Sequence, residues 1–150
     1  MPQSYSAIYV HIVFATKGRQ PFLQDRSFRS EMHAYLGGTI RHLGSAALSV
    51  GGPSDHVHIL ANLSRDTCPS DLVRELKKSS TSWAKERPGS KGFRWQTGFG
   101  AFSIGHLDIP GVVTYISGQE EHRRKVDLHE EFKRFLDDHG MVLSEKFSWD

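Results

Sequence analysis

Apolar and polar positions alternate with a period of two from Ser6 to Thr16, with Ile8, Val10, Ile12 and Phe14 on one side and Tyr9, His11 and Val13 on the other. This is the pattern of a β-strand whose even residues face a core. His11 falls on the other face, where a surface or interface histidine is expected. After the basic turn Lys17-Gly18-Arg19-Gln20-Pro21 the spacing changes to steps of three and four. Phe28, Met32, Tyr35, Leu36, Ile40 and Leu43 predict a helix over 25–43 that stops at Gly44 and is weakened by Gly37-Gly38.

Ala46 to Val50 and His56 to Leu63 predict two short strands joined as a hairpin by the turn Gly51 to Asp55. Cys68-Pro69-Ser70-Asp71 opens a second helix, with proline where its missing N–H costs nothing and an acid at the positive helix end. Leu72, Leu76 and Trp83 mark its buried side, while Arg74, Lys78, Thr81 and Lys85 share another. Pro88 to Gly92 reads as a loop. Phe93 to Ile104 predicts an aromatic-rich strand, its rings belonging to a core or to a base-stacking platform. A third helix opens at Asp108-Ile109-Pro110 and runs to about Lys125; a fourth, Leu128 to His139, carries Phe132, Phe135 and Leu136 and ends at Gly140. Met141 to Asp150 has no readable period. The order β-α-β-β-α-β-α-α predicts an α+β fold, an antiparallel sheet with helices on one face as in ferredoxin-like folds. At 150 residues the chain reads as a single domain, 1–150.

One cysteine, Cys68, allows no internal disulfide and argues against a cysteine zinc site. No apolar run approaches the ~20 residues of a membrane span, and the first residues lack a basic-then-apolar signal pattern, so a cytoplasmic protein is expected. A formal charge of +2 and a pI near 8.8 are mild. The distribution says more: from Asp71 to Arg94, Lys and Arg at 74, 77, 78, 85, 87, 91 and 94 outnumber the acids at 71, 75 and 86 by four. That patch suits a polyanion.

The chemistry concentrates in Gly51-Gly52-Pro53-Ser54-Asp55-His56-Val57-His58-Ile59-Leu60-Ala61-Asn62. Residues i and i+2 of a strand face one way, so His56 and His58 stand side by side as half of a metal site while Val57 turns into the opposite layer. On the third helix Tyr115, Gln119 and His122, spaced by four and three, share a stripe with Val112. Spacing alone leaves two readings open: a catalytic tyrosine with metal-ligating neighbours, or a packed aromatic with surface polar residues.

Asp55-His56-Val57-His58 with its apolar strand, Tyr9-Val10-His11-Ile12-Val13-Phe14-Ala15-Thr16-Lys17, Trp95-Gln96-Thr97-Gly98-Phe99-Gly100-Ala101-Phe102-Ser103 and Tyr115-Ile116-Ser117-Gly118-Gln119-Glu120-Glu121-His122 together resemble the small HUH single-tyrosine transposases of minimal bacterial insertion sequences, the IS200-like family. The match is collinear over nearly the whole chain. The resemblance implies a ferredoxin-like or RNA-recognition-like HUH endonuclease fold. It also implies a homodimer in which the tyrosine helix of one subunit acts in trans, with His56, His58 and Gln119 as metal ligands and Tyr115 as nucleophile. Where relatives carry two adjacent histidines after the glutamine, this chain has His122-Arg123, which leaves His122 adjacent to the site without an assigned role.

The implied activity is cleavage and rejoining of single-stranded DNA at insertion-sequence ends, at hairpins. A divalent cation, Mg²⁺ or Mn²⁺, would polarise the scissile phosphate, and Tyr115 would form a 5′-phosphotyrosine that leaves a free 3′-hydroxyl. Arg74, Lys77, Lys78 and Lys85 are the candidate DNA-backbone contacts. The competing readings are a non-catalytic, domesticated single-stranded nucleic-acid-binding protein of the same fold, a His-x-His metal-dependent hydrolase, and a replication-initiator or relaxase endonuclease.

Overall fold

The computed structural model describes residues 3–119 and 127–150. Its first strand, β1 (Tyr9–Ala15), is flanked on one side by β3 (His56–Asn62), itself paired with β2 (Ala46–Gly51), and on the other by β4 (Gly100–Ile104). The sheet order is β2-β3-β1-β4 and every pairing is antiparallel. Helix α1 (Arg26–His42) connects β1 to β2 past β3, and α2 (Pro69–Lys85) connects β3 to β4 past β1. These two interlocked crossovers are the ferredoxin-like β-α-β-β-α-β arrangement the periodicity predicts.

Local chemistry accounts for the helix ends. The Asp25 carboxylate accepts from the Phe28 N–H at 2.8 Å and caps α1. Pro69 opens α2 with Asp71 in its first turn. The α1 and α2 face of the sheet is the main core: Val10, Ile12 and Phe14 of β1 and Val57, Ile59 and Ala61 of β3 meet Met32, Leu36, Ile40, Leu72 and Leu76. The even positions of β1 therefore point inward as expected, except that Ile8 precedes the strand and is exposed.

The other face is covered too. Helix α3 (Ile109–Ser117) crosses the β2–β3 edge, and α4 (Leu128–Asp138) packs Phe132 and Leu136 on Phe102 of β4. Glycine permits both approaches: a Cβ at Gly51 would lie 2.9 Å from the Ile116 carbonyl oxygen, and one at Gly100 would lie 2.5 Å from Phe132 Cε1. Helix α3 closes at Gly118, whose N–H bonds back to the Thr114 and Tyr115 carbonyls; the predicted continuation to Lys125 lies mostly outside the described residues.

One predicted strand is much shorter than its pattern suggests. Only Gly100–Ile104 of the stretch from Phe93 is continuous strand. Upstream, Trp95 makes a single bridge to Thr16, and Gln96 extends the β1 ladder with its side chain, Oε1 accepting from the Ala15 N–H at 2.8 Å. Phe93 and Trp95 are buried edge-on to one another in the core, Trp95 also edge-on to Phe14, so they are not a stacking platform. Among the described residues no helix is long and apolar enough to cross a membrane.

Candidate active site

β3 carries His56 and His58 onto the face covered by α3 and α4. Both are buried, with ring centroids 4.9 Å apart. His56 Nδ1 lies 2.8 Å from Asp55 Oδ1. A carboxylate only accepts, so Nδ1 carries the proton and Nε2 offers a lone pair. Carboxylate–histidine pairs of this kind orient imidazole ligands in metal sites. The other carboxylate oxygen, Asp55 Oδ2, faces Arg19 Nε at 3.5 Å.

His58 Nδ1 lies 2.9 Å from Nε2 of His11. Val13 opposes His58 in the ladder, so His11, two residues back on the same face, is its diagonal neighbour. The expectation of a surface or interface histidine at position 11 is corrected here: His11 is 3 % exposed. Alternation assigned the face correctly but could not reveal the two helices that roof it. Burial, helped by nearby His139, pulls the His11 pKa down to about 4, so the imidazole is neutral at pH 7.

Tyr115, on α3, sits edge-on to His58 with ring centroids 5.5 Å apart. Its hydroxyl donates to Glu131 Oε2 at 2.5 Å. Burial first, then the hydrogen bond and charge of Glu131, raise its pKa well above the usual tyrosine value; Gln119 and Arg134 oppose the shift. In this arrangement the phenol is protonated at neutral pH.

Glu131 is 4 % exposed and comes from α4. One carboxylate oxygen and one nitrogen each of His56 and His58 all lie within 4.8 Å of one another. Two imidazoles and a carboxylate are a suitable donor set for a divalent cation. His56 Nε2 and Gln119 Oε1 are buried with no hydrogen-bond partner among the described residues, which leaves their lone pairs able to accept a cation. Gln119 Nε2 reaches the Tyr115 carbonyl at 3.4 Å.

The structure thus gathers His56, His58 and Tyr115 and sets Gln119 beside the tyrosine; His122 lies outside the described residues. The Tyr115 that meets His58 belongs to the same chain. Sequence reading missed Glu131, although a signal was present. Glu131 falls three residues after Leu128 and four before Phe135, an acid inside the apolar stripe of an amphipathic helix.

The basic stripe lies on α2, across the sheet from the histidines. Arg74, Lys78 and Lys85 are exposed, Arg74 pairing with Asp71 at 3.0 Å. Lys77 departs from the expectation of a phosphate-seeking cation. Its ammonium donates to the Gln96 and Gly98 carbonyls at 2.8 and 2.6 Å above the Phe14 ring, and burial pulls its pKa down to about 8. It braces the segment that leads into β4.

No curated protein sequence is significantly similar to the chain. Solved structures share its fold, two of them as follows. A proposed transposase from Deinococcus radiodurans R1 is 20 % identical, with a TM-score of 0.61 over 80 % of this chain and 97 % of that one. A REP-associated tyrosine transposase bound to a REP hairpin is 17 % identical, with a TM-score of 0.62 over 100 % of this chain and 90 % of that one. The profile described as "Transposase IS200 like" matches residues 4–119, a span that contains both histidines, the tyrosine and the glutamine. The chain belongs to the IS200-like transposase family.

Proposed function

We propose that this transposase cleaves and rejoins single-stranded DNA at insertion-sequence ends through a metal-assisted covalent phosphotyrosine, with Tyr115 as nucleophile. The observation that carries the reading is the convergence of His56, His58 and Glu131 within 4.8 Å, with the Tyr115 hydroxyl already on Glu131. His56, His58 and Glu131 would hold the ion, with Gln119 Oε1 as a further donor. When bound, Mg²⁺ or Mn²⁺ supplies charge that polarises the scissile phosphate and offsets negative charge in the transition state.

The chain's own residues do the rest. Asp55 keeps the His56 proton on Nδ1, and His11 orients His58. Glu131 holds the Tyr115 hydroxyl proton and, by its charge, keeps the phenol from ionising. Neutralising that charge lowers the barrier to ionisation and frees the hydroxyl to turn to the phosphate. The phenolic oxygen then gives its proton to solvent and bonds phosphorus, the bond from phosphorus to the 3′-oxygen breaks, and the 3′-oxygen takes a proton from solvent and leaves as a hydroxyl. Ester energy is retained in the 5′-phosphotyrosine, so a 3′-hydroxyl can later reverse the step and join strands.

The substrate in this reading is a hairpin-bearing single strand, in line with the hairpin held by the REP-associated neighbour. The protein works in the cytoplasm as a homodimer, and exchange of α3 between subunits would let Tyr115 act in trans.

The test is a denaturing-gel assay of the protein with labelled single strands from the DNA flanking its gene, with Mg²⁺ or EDTA, beside Tyr115→Phe and His56→Ala. A metal-dependent covalent adduct absent from both variants is the expected result. Retarded mobility on a native gel with no adduct under any metal, while a relative cleaves its own hairpin in parallel, would overturn the catalytic reading in favour of a binding protein.

A further inference from the structure

We propose that Arg19 is a positioning residue that holds the two halves of the metal site in register, an inference that rests on the reading of His56, His58 and Glu131 as ligands. The histidines come from β3 and the acid from α4, elements that no short connection joins. Arg19 bridges them. Its Nε lies 3.5 Å from Asp55 Oδ2, and its Nη2 lies 2.9 Å from Asp127 Oδ1.

Each carboxylate has a second task. Asp55 Oδ1 holds His56 Nδ1 at 2.8 Å, and Asp127 Oδ2 accepts the His129 N–H at 3.2 Å, capping α4 four residues before Glu131. One planar guanidinium therefore lies at ion-pair distance from the group that orients a histidine ligand and hydrogen-bonds the group that starts the helix bearing the acid. A lysine could not span the two, because its ammonium is a single point of charge.

The backbone is built to aim this side chain. Arg19 is the one non-glycine residue with a positive φ, 57°, among those described, a conformation that side chains seldom adopt. The turn is held by its N–H on the Thr16 carbonyl at 2.9 Å and by the Gly18 N–H on the Trp149 carbonyl at 2.9 Å. The guanidinium also lies over the Trp149 ring, 5.9 Å from its centroid. The C-terminal residues thereby clamp the same turn.

Calorimetric titration of the full chain with Mn²⁺ tests this, with melting temperature in EDTA as the control for folding. The wild type is expected to bind Mn²⁺ and His56→Ala to lose it. Arg19→Gln is expected to bind about tenfold more weakly, the range for loss of an outer partner of a ligand, and Arg19→Lys to recover only part of that. Asp127→Asn keeps a capping side chain at an exposed position and should weaken binding by about threefold, as exposed ion pairs are weak. The double variant Arg19→Gln/Asp127→Asn should be no weaker than Arg19→Gln. Wild-type-like affinity in Arg19→Gln would overturn the inference and leave the metal reading intact; should that variant not fold, wild-type-like affinity in both Arg19→Lys and Asp127→Asn would do the same. Absence of Mn²⁺ binding by the wild type would overturn the metal reading, and this inference with it.

Discussion

Gly100→Ala adds one methyl group where Phe132 of α4 meets β4. That carbon would stand 2.5 Å from Phe132 Cε1 and 3.0 Å from both Phe132 Cζ and Phe102 Cε2. Carbon–carbon contacts are comfortable at about 3.5–4.0 Å, so the Phe132 ring has to retreat by roughly 1 Å. It has nowhere easy to go: Phe132 is 5 % exposed, packed on Phe102 and Leu136 and stacked with Phe147. The helix has to lift instead. Overpacking of this size costs about 1–3 kcal/mol, offset by about 0.5–1 kcal/mol from the stiffer unfolded chain, leaving a net loss of about 1–2 kcal/mol. For a chain of this length that is a fall in Tm of about 3–6 °C. Glu131 immediately precedes Phe132, so the lift also draws the carboxylate away from His56 and His58 and weakens Mn²⁺ binding. Circular dichroism melts and Mn²⁺ titration read both effects. Gly38→Ala is the control of opposite sign: it lies in α1 with nothing within 4 Å of the added carbon, and should gain about 0.5–1 kcal/mol. A Gly100→Ala protein that melts at or above the wild type, with Gly38→Ala stabilised as expected, would refute the close packing of α4 on β4.

Glu131→Gln removes a charge and leaves the shape; the Tyr115 phenol should then titrate at lower pH than in the wild type when followed by ultraviolet difference absorbance, and an unshifted titration would contradict the Tyr115–Glu131 contact. His11 makes stability depend on pH. Its folded pKa, about 4, is below the unfolded 6.5, so the unfolded chain takes the proton first and stability falls as pH drops through that window. The loss attributable to His11 is up to about 3 kcal/mol near pH 4. Urea unfolding at neutral and acid pH should show a shallower decline in His11→Asn, and parallel curves would sink the assignment. If the exposed face of α2 contacts DNA phosphates, Arg74→Ala/Lys78→Ala/Lys85→Ala should reduce the salt slope of single-strand affinity by up to about three without changing Tm, whereas Lys77→Ala should mainly lower Tm. An unchanged slope would remove α2 from the DNA path.

Much of the fold was legible because it depends on short-range rules. Alternation around Ile12 and Val57, the helical period from Phe28 to Ile40, the proline at Pro69 and the stop at Gly140 each act within a few residues, and each of these elements formed where its pattern lay. Phe93 to Gly98 failed as a strand because the Gln96 side chain takes a place in the ladder that backbone would otherwise fill. Lys77 stands apart from the rest of its stripe for a related reason: its carbonyl partners belong to a segment about twenty residues away, and composition cannot distinguish a bracing ammonium from a solvated one.

A strand's period places His56 beside His58 and a helix turn places Tyr115 near Gln119, but spacing left the roles of the tyrosine and glutamine open, and only the family resemblance singled them out. Glu131, His11 and Arg19 entered only with the tertiary structure. Their meeting depends on how α3 and α4 settle over the sheet, which is decided by packing, by the space left at Gly51 and Gly100, and by the burial that follows. The sequence by itself determined which residues stand together within each element; the folded chain decided which elements meet, because periodicity is a property of neighbours along the chain and desolvated contact is a property of neighbours in space.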